Sequence, residues 1–500
     1  MAHGLRIQVA TYNVNQHIGE RLLPELHEWL VPTVTQDASS GYHVPGTPNP
    51  FPKGPREAPD IYAIAFQEFT PLPKALAGIS DDFVYTVDRE LRRAVRGHQA
   101  IVRPDKLYDP IEFGGGPENY SLLAAAHHAG LVLYVYSRDS EPQRGGASAS
   151  SRVREVRTAT VGTGFCGVMG NKGAIGVRVV MENAGREEVL TFVGAHLAAH
   201  DHMVERRNAD WQSIVTRLIF APQSTCPLPV VQERYDPSAP LSRQTETTPR
   251  QRPPPRPTPN AEYTLYDTHH LFVCGDLNYR IGTGTTGLDN SPPISREDVA
   301  TLVEKASPEA WAALGKHDQL AVQAMLTPPR VFQQLTIVDA GELTPPTYKY
   351  KTDSAAASTS VLNVPTQLNL KRTPGWTDRV LWSRSARLEL YRSIMQYTLS
   401  DHKPVTAILR IDDKAAPLLK SPWPIDDRWQ YLQYSGFVCD RLVGYSWYAL
   451  LLLGSGSIVV AIFELAVLVA IASWWLTTPS AALSFVALKS TIERRLGIST

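Results

Sequence analysis

Cysteine is scarce in this chain: four residues in 500, at positions 166, 226, 274 and 439, with no CxxC pair. That scarcity argues against a disulfide framework or a thiolate zinc site and fits a reducing compartment. An excess of either charge is missing too, since Lys+Arg and Asp+Glu number 49 each. A dedicated nucleic-acid binder carries a basic excess, so nucleic acid is not an expected partner. No GxxxxGK[ST] loop marks a nucleotide enzyme. Met1 to Thr11 holds no apolar stretch of signal-peptide length, which leaves the bulk of the chain expected in the cytosol. What is present, 43% hydrophobic and 20% charged residues, suits a globular enzyme of one large or two ordinary domains.

One hydrophobic run stands apart. Ile458 to Leu476, IVVAIFELAVLVAIASWWL, carries one charge, Glu464, in 19 residues, close to the ~20 that a membrane-spanning helix needs. Trp447-Tyr448 and Trp474-Trp475 flank it 27 residues apart, roughly 40 Å as helix, which matches the spacing of the two headgroup layers. A buried core helix seldom stays apolar all round. Residues 447–476 therefore read as a transmembrane tail anchor, with 477–500 a short tail. The endoplasmic reticulum is the expected membrane, with the rest of the chain on its cytosolic side.

From Leu5 to about Ile411, β-branched and aromatic runs alternate with helical stretches. The expected strands are LRIQVATYNV, DIYAIAF, LVLYVYS, GAIGVRVVM, VLTFVGAH, HLFVCGDL, RVLWS and VTAILRI. The expected helices are LPELHEWL, FVYTVDRELRRAV, MVERRNADWQSIVTRLIF and SREDVATLVEKA. The pattern predicts an α/β fold, a two-sheet β-sandwich flanked by helices, over residues 1–411. Ser137–Arg152, a Pro-rich stretch at about 222–260, and Thr352–Thr366 read as surface insertions. Residues 412–446 read as a linker.

Polar residues sit at the ends of these apolar strands: Asn13, Gln67-Glu68, His196, Asp276 with Asn278, Asp378, and Asp401-His402. Any one could cap a strand or satisfy a core group; six such ends together point to a site. Carboxylates and amides beside histidines, with no reactive thiol, suit Mg2+ and phosphoester hydrolysis.

The order Asn, Gln-Glu, His, Gly-Asp-x-Asn, Trp-x-Asp-Arg, Ser-Asp-His resembles the endonuclease/exonuclease/phosphatase superfamily, whose fold is DNase I-like. GFCGVMGNKGAIGVRV, AHLAAHD, FVCGDLNYRI, HDQL, PPTYKY and RTPGWTDRVLW followed by SDHKPV resemble the inositol polyphosphate 5-phosphatases within it. The apolar tail is similar to that of fungal tail-anchored members acting on phosphatidylinositol 4,5-bisphosphate. The resemblance implies that Glu68, helped by Asn13, holds Mg2+. It implies that Asp276 orients or deprotonates the attacking water and Asn278 steadies the phosphate. His402 would hydrogen-bond a phosphoryl oxygen with Asp378 fixing its tautomer, Asp401 would lie near the metal or water, and His196 would contact the phosphate. Asn171, Lys172, Tyr348, Lys349 and Arg372 lie in the motifs implied to hold neighbouring ring phosphates. The implied substrate is a phosphoinositide lipid, with soluble inositol phosphates or a weakly active phosphoinositide-binding scaffold as alternatives. Two positions depart from the pattern: Thr377 replaces a frequent Cys, and Leu370 stands where many members carry Lys.

Overall fold

The computed structural model describes residues 4–16, 26–30, 58–79, 81–102, 120–139, 148–183, 186–222, 261–326, 328–351, 368–369, 371–395, 397, 399–411, 415–454 and 457–477. The Pro-rich insertion beyond residue 222, the insertion at 352–366 and the tail after residue 477 lie outside them.

The chain first lays down β1 (Arg6–Asn13), β2 (Ile61–Gln67), β3 (Tyr120–His128) and β4 (Leu131–Arg138). It then builds a second sheet from β5 (Val153–Gly162), β6 (Gly173–Asn183), β7 (Arg186–His196), β8 (His270–Asp276), β9 (Leu335–Thr336) and β10 (Asp378–Ser383). Two last strands, β11 (Ala386–Ser393) and β12 (Val405–Ile411), return to the first sheet. The orders are β11-β12-β1-β2-β4-β3 and β5-β6-β7-β8-β10-β9. The two-sheet sandwich is the expected one.

Inward faces meet in a core of Ile7, Val9, Ala63, Ala65, Leu133, Ile175, Phe192 and Phe272, with the last two rings stacked at 5.2 Å. The helices are α1 (His27–Leu30), α2 (Leu72–Ala77), α3 (Asp81–Val102), α4 (Ala149–Arg152), α5 (Val204–Arg217), α6 (Arg296–Lys305), α7 (Pro308–Gly315), α8 (Gln319–Ala324) and α9 (Ala340–Leu343), of which α1, α3 and α5 cover outer sheet faces while α6, α7 and α9 pack in a cluster of their own. Tyr62, Phe66 and Tyr134 pack outward with Trp29 and with Leu91 and Val95 of α3. Leu271 and Val273 pack outward with Trp211 and Ile214 of α5. Strands buried on both faces need apolar residues at consecutive positions, which is why β1, β2, β4 and β8 read so clearly as runs.

The C-terminal part departs from expectation. Within the expected linker a helix begins: α10 (Trp429–Leu453) crosses the expected boundary at 447, and α11 (Ile458–Thr477) follows it. α10 packs against α2 because small residues allow close approach; a Cβ at Gly444 would stand 2.2 Å from the Ala77 nitrogen. α11 forms over the apolar run, but among the described residues no helix is long and apolar enough to cross a membrane. Side chains at 458, 461, 472 and 474–477 of α11 are outside that set.

Candidate active site

Strand direction gathers the polar ends. β1 runs parallel to β2, with Asn13 opposite Gln67, and β7 runs parallel to β8, with His196 opposite Asp276. Their C-terminal ends therefore share one end of the sandwich. β10 is antiparallel to β8 and starts there, with Asp378 opposite Asp276. β12 is antiparallel to β1, so the turn before it delivers His402 to the same end.

Asp276 is the hub. Its Oδ2 accepts from Asn13 Nδ2 at 3.0 Å and lies 3.4 Å from His196 Nε2 and 3.9 Å from His402 Nε2; its Oδ1 accepts from the Asn278 backbone N–H at 3.1 Å. A carboxylate only 1% exposed survives burial only if its charge is met by donors and cations. Burial pushes its pKa up, but His402, His196 and Lys172 outweigh that and hold it well below the usual range.

His402 is tethered from the other side. Its Nδ1 lies 3.0 Å from Asp378 Oδ2, which also accepts from Thr347 Oγ1 at 2.7 Å and Thr377 Oγ1 at 2.9 Å. Thr377 therefore supports Asp378 with its hydroxyl. Burial works against charge on the ring, yet Asp378 and Asp276 prevail and raise the pKa to about 9. The Tyr348 ring packs on the imidazole at 4.5 Å.

Glu68 follows β2 in left-handed conformation, φ +50°, and Asn278 follows β8 at φ +58°. The left-handed turn there aims each side chain off the end of its strand. Asn278 is fixed at both ends of its amide, donating to Leu197 O at 3.0 Å and accepting from Arg280 at 3.1 Å. Lys172 Nζ contacts His196 Nε2, and burial lowers its pKa. It reaches there because Gly173, at φ +147°, brings β6 against β5; a Cβ would stand 2.0 Å from Val161 O.

The other expected residues divide. Gln67 is fully buried and accepts from Thr11, a core group. Asn13 turns its amide nitrogen to the carboxylates while its Oδ1 accepts from the Asn15 N–H at 3.0 Å. Asp401 pairs with Lys349 at 2.6 Å. Asn171 Oδ1 accepts from the Phe165 N–H, shaping the loop that carries Lys172. Arg372 is at the rim, 3.1 Å from His200. Sequence reading missed Thr347, Arg280, and Asp201, which holds Thr373 Oγ1 at 2.5 Å and Arg296 at 3.3 Å. All three lay inside quoted motifs, Thr347 in PPTYKY, Arg280 in FVCGDLNYRI and Asp201 in AHLAAHD.

Some patterns in the sequence are decoys. Cys274 and Arg280 have the CxxxxxR spacing of a cysteine phosphatase loop, but the thiol is buried between the sheets and burial pushes it up to about 12. Gly162-Thr163-Gly164-Phe165-Cys166-Gly167 fits GxGxxG after β5, yet opens a three-residue turn and no long helix; GxGxxG likewise recurs at 282–287, before a three-residue turn.

The donor set fits a hard divalent cation. Ligand atoms of Asp276, Asp378 and His402 lie within 4.8 Å of one another, Asp378 Oδ1 is buried without a hydrogen-bond partner, and Glu68 is 32% exposed with Oε1 3.8 Å from His196 Nε2. Glu68 and Asp276 would supply its oxygens; the hydrogen bond from His402 leaves Asp378 Oδ2 less available.

Residues 10–408 match the profile of Endonuclease/Exonuclease/phosphatase family 2. The type II inositol 1,4,5-trisphosphate 5-phosphatase of Mus musculus is 29% identical over 356 residues, 71% of this chain and 27% of that protein. Synaptojanin-2 of Homo sapiens is 25% identical over 445 residues, 82% of this chain and 22% of that protein. The chain thus spans about a quarter of the length of these relatives. A synaptojanin inositol polyphosphate 5-phosphatase domain solved with inositol (1,4)-bisphosphate and calcium superposes with a TM-score of 0.49 at 20% identity, covering 88% of this chain and 91% of that one.

Proposed function

The chain belongs to the endonuclease/exonuclease/phosphatase family, and from that premise we propose that it is a Mg2+-dependent phosphatase removing the 5-phosphate of phosphatidylinositol 4,5-bisphosphate. The observation that carries the reading is the convergence on Asp276 Oδ2 of Asn13, His196 and His402, with Glu68 open to solvent beside them. The likeness to the type II inositol 1,4,5-trisphosphate 5-phosphatase supports the substrate class.

Mg2+ at Glu68 and Asp276 would neutralise charge building on the phosphate. Asp276 orients the attacking water and accepts its proton as the water oxygen bonds to phosphorus. The bond to the ring oxygen breaks in line, and that oxygen takes up a proton to leave as the alcohol, with orthophosphate as the other product. Protonated His402 donates to a phosphoryl oxygen, and Asp378, Thr347 and Thr377 hold the ring to that aim. Asn278, locked at both ends, steadies the phosphate. Lys172, Lys349 and Arg372 supply positive charge for neighbouring phosphates, each nearly a dianion.

We place the chain at the cytosolic face of the endoplasmic reticulum through the apolar run at 458–476. Support comes from α11, whose Val459, Phe463 and Leu468 are 74%, 69% and 62% exposed. Localisation of a fluorescent fusion of the full chain tests the address, and diffuse fluorescence would remove it.

The activity is tested by orthophosphate release from bisphosphate-lipid vesicles and from soluble inositol 1,4,5-trisphosphate, with Mg2+ or with chelator. Release from lipid with Mg2+, abolished by chelator, is expected. Release from the soluble compound alone would keep the chemistry and remove the lipid; release from neither would overturn the reading.

A further inference from the structure

α10 has two unlike faces. Trp429, Gln433, Gly436, Asp440 and Gly444, spaced three or four apart, form one side of the helix, and four of them are buried against the domain, with Gln433 donating to Thr160 O at 3.0 Å. Asp440 accepts the Gly170 N–H with both oxygens, at 2.9 and 3.1 Å, and Arg441 donates to Leu76 O at 2.8 Å. A Cβ at Gly436 would stand 2.3 Å from Val168 O. Val168 and Gly170 belong to the loop that ends in Asn171 and Lys172, so this face grips the segment presenting the phosphate-facing lysine.

The opposite side carries Tyr431, Tyr434, Val438, Leu442 and Tyr445, exposed by 71%, 59%, 37%, 65% and 55%. The helix has two charged residues, Asp440 and Arg441, and both make domain contacts. A water-facing side is normally the polar one; here the polar side is inside and the apolar side outside. Tyrosines on an apolar stripe are the composition of a bilayer interface. The stripe also leads, within four residues, into the exposed apolar side chains of α11.

We propose that α10 is an interfacial strut, lying on a lipid surface by its Tyr/Leu face while its Asp440 face holds the Gly170–Lys172 loop in place. The inference deepens the membrane reading above and rests on it. Lipid contact would then set the orientation of the site mouth, and Asp440 is a positioning residue acting through the Gly170 amide. Burial drives its carboxyl up to about 7, against the pull of the Gly170 N–H and Arg441.

The test uses the full chain with Cys166, Cys226 and Cys439 changed to Ser, reconstituted in phosphatidylcholine/phosphatidylserine vesicles. Nitroxide labels are placed at Tyr434→Cys or Leu442→Cys, with Glu304→Cys on α6 as the water-facing control. Labels at 434 and 442 should relax with oxygen and resist a water-soluble nickel chelate, and the label at 304 the reverse. Nickel access like that at 304 overturns the proposal. So does shielding from both reagents, which would mean a second copy or another protein covers the face. This readout needs no catalysis, so a chain that releases no phosphate sinks the proposed function and leaves the lipid contact decided. For the inner face, Asp440→Asn should raise KM for soluble inositol 1,4,5-trisphosphate about tenfold, the worth of one charge-assisted hydrogen bond, with kcat within about twofold. Hydrogen exchange at the Gly170 amide should speed up in the same variant. An unchanged KM with unchanged exchange overturns the positioning role.

Discussion

Two buried histidines occupy opposite ends of the second sheet's neighbourhood, and only one is placed for chemistry. At the far end, His270 Nε2 lies 2.7 Å from Glu188 Oε1 and Nδ1 lies 2.7 Å from Ser385 Oγ, an acid–imidazole–hydroxyl chain. At the near end, His402 Nδ1 is tethered to Asp378 while Nε2 faces Asp276 at 3.9 Å, beyond hydrogen-bond range. Both nitrogens of His270 are spent, and the ring ties the start of β8 to the turn between β10 and β11. His402 has one nitrogen held and the other aimed at a cluster of charge. An acid–histidine pair therefore becomes functional through what its second nitrogen is left to do.

The comparison breaks most severely at Asp276. Asp276→Asn should lower kcat by about 10³, the scale of a lost water-orienting base, with the melting temperature little changed; phosphate release from soluble trisphosphate measures it, and a near-normal rate would remove the hub from the chemistry. Next, His402→Ala should cost about 10² in kcat. His270→Ala should instead leave kcat at 25 °C within about twofold and reduce stability by about 2 kcal/mol, the worth of a buried hydrogen bond to a charged group. Urea melts and assays on both variants test this exchange of effects, and matching profiles would erase the distinction. A smaller effect separates the ends by pH. In chelator, a folded-state pKa near 9 for His402, above its ordinary ~6.5, contributes stability that is complete below about pH 6.5 and lost as pH rises through about 9. Urea midpoints should fall across that window and stay flatter in His402→Ala. The smallest change is Thr347→Val, which removes one donor from Asp378 and should lower kcat several-fold by loosening the ring's aim.

Much of this was legible from residue order. All eight strands read as apolar runs are present, because burial on both faces demands uninterrupted hydrophobicity. β3, with SLLAAAHH, and β11, with RLELYRS, escaped notice: alanine and alternating charge carry little strand signal even where backbone pairing places them at an edge. β5 was hidden by its arginines: Arg157 stacks on Tyr263 at 4.8 Å, beside Arg178 of β6 at 3.9 Å, and Arg154 pairs with Glu182. α10 reads as part of a linker because its docked face beyond Trp429 is Gly, Gln and Asp, which look polar until a partner surface is supplied. Asp401 read as a site carboxylate, and its partner Lys349 lies 52 residues away.

By itself the sequence determined the sandwich, its helical cover and the set of polar strand ends, because hydrophobic periodicity and abrupt polar termination are local properties. Which of those ends would act was a tertiary decision. Strand direction brought Asp276 within reach of three elements. Donors supplied by Thr347 and Thr377 settled where Asp378 points, and the glycines of α10 let a distant helix grip the Gly170 loop. Electrostatic roles depend on distances across the fold, and a linear order of residues contains no such distances.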